Sequence, residues 1–82
     1  MIRLSALGIG KKAIIRSFEE DDIYLKLMEM GCVPGELVEV QKVALFGDPI
    51  SITVAGYHLS LRKKEADHIW VEEILEKQTS LY

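Results

Sequence analysis

Few side chains in this sequence could do chemistry. They are one cysteine, Cys32, two histidines, His58 and His68, and the carboxylates Asp48 and Asp67 weighed beside them. Thiolate, imidazole and carboxylate together make the donor set of a borderline divalent metal ion. Their spacing follows no metal motif, because Asp67 and His68 are adjacent and point different ways, and His58 falls on the outward side of a hairpin. A real site needs several ligands held at once, and solvated or packed side chains account for all five. Catalysis finds still less support: no nucleophile stands at a recognisable spacing from a base, no carboxylates are paired, and no GxxxxGK[ST] loop is present. The chain reads as a non-enzyme with no cofactor of its own.

Size and charge narrow the classes further. Eighty-two residues cannot bury two cores, so residues 1–82 are expected to form one domain. A hydrophobic fraction of 49% with 28% charged residues is that of a globule rather than a disordered chain. A lone cysteine allows no internal disulfide and no thiol pair for structural zinc, which favours a reducing, cytoplasmic setting. No run of 18 apolar residues occurs, and the opening MIRLSALGIGKK holds no apolar run long enough for a signal peptide, so neither a membrane span nor an export signal is expected. The net charge of −3 argues against nucleic acid, since neutralising phosphates takes a concentrated basic surface. Only Arg62, Lys63 and Lys64 cluster, and such a triplet reads as a solvated turn or helix start.

The elements that must position these residues follow from periodicity. Lys12 to Phe18 alternates, with Ala13 and Ile15 on one face, and predicts a strand. From Asp21 to Met30 the residues Ile23, Tyr24, Leu27, Met28 and Met30 fall on one side of a helical wheel, predicting an amphipathic helix. Ser17 and Glu20 have capping-box spacing and Asp21 or Asp22 caps equally well; a later start leaves the first strand intact. Further strands are expected over Leu37 to Val43, with a bulge or bend near Ala44, over Ile50 to Val54, around Leu59 and Leu61, and over Ile69 to Ile74. A two-residue type II′ loop at Gly56 and Tyr57 would pair Val54 with Leu59 and Ile52 with Leu61. Lys63 to Ile69 suits one or two helical turns, and residues 75–82 read as a frayed tail.

The sharpest local signal is the corner in MEMGCVPGELVEV. Gly31 stands where a helix stops in a left-handed conformation, and Pro34 cannot continue it. In a Schellman stop Cys32 occupies the position that touches Leu27, a contact usually apolar. Cys32 thus has a structural task. Pro34 and Gly35 suit the centre of a type II turn that aims the chain into the next strand. Five short strands and one helix make a mostly β, α+β unit, and so short a chain protects its sheet edges best by curling into a small barrel.

Two stretches, LMEMGCVPGELVEV and FGDPISITVAGYHLSLRKKEADHIWV, together with Leu4 and the run Gly10 to Ile15, closely resemble the ferrous iron transport protein A family, the small cytosolic component of the bacterial Feo iron uptake system. The likeness runs from residue 4 to 71, which makes it specific where any single piece would not be. Two departures keep the chemistry of their positions: Cys32 stands where the family more often has leucine, and Lys26 supplies the basic residue of the helix. The resemblance implies an SH3-like β-barrel with the helix inserted between its first two strands. It also implies a small accessory protein that supports ferrous iron uptake by the GTPase-containing membrane permease of the same system.

With no catalytic group and a family of this kind, the expected role is docking on the cytosolic domain of that permease, without inserting into the membrane. The candidate surface is the helix with its corner and the outer face of the hairpin: Leu25, Met28, Cys32, Val33, Pro34, Gly35 and His58. Trp70, out of phase with Ile69 and Val71, joins them as an exposed aromatic anchor. The alternative is a regulatory domain that binds Fe(II) directly, for which Cys32, His58 and His68 are the available ligands. Weak self-association stays open.

Overall fold

The computed structural model describes residues 1–19 and 21–75. The capping role considered for Glu20, and the tail over 76–82, lie outside the described residues.

Eight elements follow one another: β1 (Ile2–Arg3), β2 (Lys12–Phe18), α1 (Asp21–Glu29), β3 (Leu37–Val43), β4 (Ile50–Val54), β5 (Tyr57–Leu61), α2 (Lys63–Ala66) and β6 (Ile69–Ile74), with short turns of 3-10 character at Leu4–Ala6 and Leu45–Gly47. All strands join one six-stranded sheet in the order β1-β6-β2-β3-β4-β5, every pairing antiparallel. Alternation sets which face each strand buries: Ala13 and Ile15 of β2, Val38 and Val40 of β3, Ile52 and Val54 of β4, and Ile69 and Val71 of β6 are all 0–1% exposed. These residues meet in one cluster with Leu27 of α1. The sheet's inner face and α1 together enclose this core.

Three local expectations are corrected. The first strand of the sheet is not β2 but β1, too short to show any periodicity, which pairs Ile2 with Val71 and Arg3 with Trp70. Just after it, Leu4 and Leu7 are 1% and 2% exposed and close one side of the core. The bulge of β3 falls at Gln41, between the Val40 and Lys42 pairings, rather than near Ala44. The hairpin turns on Ala55 and Gly56, with φ of 50° and 82°, so it is type I′ rather than type II′. Its twist matches that of the flanking strands, and Val54 pairs with Tyr57, Ile52 with Leu59 and Ile50 with Leu61. The slip is two residues, an even number, so the apolar faces stay matched.

Candidate functional site

The helix stop forms as its residues dictate. Gly31 takes φ 104°, the Cys32 N–H donates to the Leu27 carbonyl at 2.9 Å, and the Gly31 N–H donates to the Met28 carbonyl at 3.0 Å, the two bonds of a Schellman motif. The Glu36 N–H then closes the Pro34–Gly35 turn on the Val33 carbonyl at 3.0 Å, with Gly35 at φ 95°. Gly35 N–H also donates to the Ile15 carbonyl at 2.7 Å, so the corner is pinned to β2 and cannot swing. A rigid corner presents its side chains at low entropic cost to a partner.

Around that corner the surface is uneven, with apolar side chains set among polar ones. Leu25 is 70% exposed on the outer flank of α1, and Tyr24 is 38% exposed with its ring edge-on to Phe18 at 5.2 Å. Tyr24, Phe18 and Pro34 line a shallow cleft of about 260 Å³ with Arg16 and Ser17. On the other side, the end of α1 and the start of β5 form a groove of about 410 Å³ lined by Glu29, Met30, Gly31, Tyr57, His58 and Leu59. The helix corner and the hairpin, distant in sequence, are thus brought side by side. Pro34 and Gly35 are exposed, while Met28 and Val33 are half-buried.

Cys32 is corrected. It is 0% exposed, so it presents nothing to a partner and supports the corner from within. Burial, with the Glu65 carboxylate adding to it, pushes the thiol up to about 11. A neutral, enclosed thiol is a packing group rather than a nucleophile or ligand. Trp70 is corrected as well: its face is outward, but it is half-buried and already engaged. The Arg3 guanidinium lies 4.8 Å from its ring centroid, and its Nε1 donates to Glu19 Oε2 at 3.2 Å. Arg3 completes the clasp by pairing with the same carboxylate at 3.3 Å.

Glu65 adds a polar tie between α1 and α2 to the core contact made by Leu27. Its carboxylate, only 6% exposed, accepts from Lys26 Nζ at 2.6 Å and from the Arg62 N–H at 2.8 Å. The Lys26 bond first, and the Arg62 bond after it, hold this carboxyl below its ordinary range against the cost of burial. Asp67 is lowered too, chiefly by the Ser5 hydroxyl that donates to it, with Lys63 and Arg3 assisting. The remaining ligand candidates do not gather: among the described residues no three of His, Cys, Asp and Glu are placed to hold a metal ion. His58 is exposed, its Nδ1 3.2 Å from the Thr53 hydroxyl.

Two residues escape a reading of the sequence alone. Leu45 and Phe46, 80% and 98% exposed, form an apolar tip between β3 and β4, with Phe46 in the left-handed region at φ 66°. In sequence they look like a continuation of the β3 apolar run. A signal lay in the Gly47, Asp48 and Pro49 that follow, a turn sequence that ends the apolar run.

A curled antiparallel sheet of short strands with one inserted helix and an exposed apolar corner defines a small barrel of the SH3-like class. No helix among the described residues is long and apolar enough to cross a membrane. The sequence model of the FeoA domain matches residues 2–73, and the chain belongs to the FeoA family, small domains associated with Fe(2+) transport systems. It is 36% identical over 80 residues, 96% of its length, to the Fe(2+) transport protein A/Fe(2+) transporter FeoB fusion protein of Porphyromonas gingivalis, and it spans about a tenth (10%) of that curated relative. Among solved structures, the FeoA-like protein from Clostridium acetobutylicum superimposes with a TM-score of 0.86 at 38% identity, covering 94% of this chain and 91% of that one. The zinc-complexed FeoA of Stenotrophomonas maltophilia, described as a procaryotic SH3 domain protein, gives 0.76 at 28% identity over 88% and 91% of the two chains. The expected family and the SH3-like, mostly β fold both stand.

Proposed function

We propose that this chain is a cytoplasmic accessory domain that supports ferrous iron uptake by docking on the cytosolic part of the Feo permease, and that it acts as a binding module without catalysis. The observation that carries the reading is the Porphyromonas gingivalis relative, in which a region 36% identical to 96% of this chain belongs to the same polypeptide as the FeoB transporter. A covalent fusion keeps two domains at high effective concentration, an advantage where the separate partners bind one another. The geometry supports that reading with a hydrogen-bonded corner, the exposed Leu25, and two clefts of mixed polar and apolar lining flanking α1.

The test is a calorimetric titration of the intact chain into the permease's cytosolic domain, loaded with GDP and separately with a GTP analogue. Binding in at least one nucleotide state is expected. Burying Leu25, now 70% exposed, should contribute about 1–2 kcal/mol, so Leu25→Ala should weaken binding by about fivefold to thirtyfold. Its melting temperature should stay within about 2 °C, because a mostly exposed leucine supports little of the core. Absence of binding in both states overturns the proposal.

The zinc-complexed Stenotrophomonas maltophilia relative keeps direct metal binding as a second reading. Anaerobic equilibrium dialysis with Fe(II) decides it: an equivalent of bound metal, retained in His58→Ala and lost in His68→Ala or the reverse, would move the function toward sensing. No bound metal leaves docking as the reading.

A further inference from the structure

The sheet ends at β5, and the hairpin register fixes which of its backbone groups are free. Across a two-residue turn, Tyr57, Leu59 and Leu61 direct their N–H and C=O groups toward β4, while His58 and Ser60 direct theirs away from the sheet. Among the described residues no backbone group covers these outer positions. Exposed edges are usually blunted by lysine, proline, a bulge or brevity. The opposite edge, β1, is two residues long. β5 runs five residues, Tyr-His-Leu-Ser-Leu, with no charge, no proline and no bulge.

The flanks of this strand carry opposite charges at opposite ends. Glu29 lines the groove beside its start, with Tyr57, His58 and Leu59. Arg62, Lys63 and Lys64 follow its last residue, all exposed; Lys63 pairs with Asp67 at 3.6 Å and its N–H donates to Asp48 at 3.0 Å, which leaves Arg62 and Lys64 as the cations facing outward. Glu29 and Arg62 form no ion pair among the described residues.

We propose that β5 is a self-association edge, where two copies of the chain pair their β5 strands antiparallel about a twofold axis at Leu59. His58 of each copy then lies opposite Ser60 of the other, and the two residues exchange their outward N–H and C=O groups. The charge pattern selects a second copy as the occupant. Twofold rotation sets Glu29 of one copy against Arg62 and Lys64 of the other at both ends, whereas parallel alignment sets like against like. The inference does not rest on docking to the permease.

The test follows the mass of the intact chain by sedimentation equilibrium from micromolar to millimolar concentration, with amide hydrogen exchange on the same samples. Mass should rise from the 9.3 kDa of one chain toward twice that value, and exchange at His58 and Ser60 should slow as it does. Ser60→Pro removes one outward N–H from an edge position that tolerates proline, and should weaken association at least tenfold. Glu29→Lys and Arg62→Glu should each weaken it about tenfold, and the double exchange should restore it to within about threefold. If Ser60→Pro does not fold, the charge exchange, made on exposed side chains, decides alone. A chain that stays at single mass to millimolar concentration overturns the proposal, as does association indifferent to the charge variants. Amides at His58 and Ser60 that slow only when the permease domain is added would give the edge to that partner and overturn self-pairing equally.

Discussion

Replacing Lys26 by methionine tests the tie between the docking helix and the barrel while keeping the apolar stem of the side chain. Glu65, 6% exposed, would lose its 2.6 Å partner and keep only the Arg62 N–H at 2.8 Å. Breaking a fully buried ion pair costs about 3–5 kcal/mol, because one charge is left uncompensated. The lysine side chain here is 62% exposed, so water screens that end and the Coulomb part falls toward the roughly 0–1 kcal/mol of surface pairs. Losing a charged hydrogen bond at a buried acceptor adds about 1.5 kcal/mol, for a net loss near 2 kcal/mol and a melting temperature lower by about 8–16 °C. The sign with pH follows from Glu65, whose folded-state pKa lies below its unfolded value. Its contribution is therefore complete above the ordinary carboxyl range and is lost as pH falls through the folded value. The gap between Lys26→Met and the parent chain should shrink on acidification. Adding Glu65→Gln to Lys26→Met should recover part of the loss, since a neutral amide tolerates burial and still accepts from Arg62. Urea unfolding of the three proteins, followed by circular dichroism at neutral and acid pH, gives every quantity. A Lys26→Met chain within about 0.5 kcal/mol of the parent, or a loss that persists unchanged at acid pH, would show that the Lys26–Glu65 pair does not stabilise the fold.

Three further outcomes are expected. Trp70→Ala should destabilise by about 2 kcal/mol through the lost Arg3 stacking and the bond to Glu19, read as a shifted urea midpoint; an unchanged midpoint would return Trp70 to the free surface. With its thiol enclosed and raised to about 11, Cys32 should resist iodoacetamide at neutral pH in the folded chain and react only at the rate of unfolding, so prompt labelling under native conditions would contradict its packing role. Phe46→Gly should stabilise by about 0.5–1 kcal/mol, because the ring is 98% exposed and its backbone sits at φ 66°; a destabilised variant would show that the ring packs after all.

The corner between α1 and β3 was legible because its signals are local. Gly31, Pro34 and Gly35 each have a backbone preference set by their own covalent structure, and all three act as those preferences require. Strand faces were legible for the same reason, since a period of two survives even the two-residue slip of the β4–β5 hairpin. What escaped was everything decided by partners far along the chain. β1 is a strand only because β6 lies beside it, and Trp70 is occupied only because Arg3 and Glu19, distant in sequence, close over it. Leu45 and Phe46 are as apolar as any core residue, yet the fold leaves them outside. Composition and spacing settle which residues prefer to be buried and where the backbone must bend. Long-range packing alone settles which of them find a neighbour, and so which apolar groups remain for another molecule to cover.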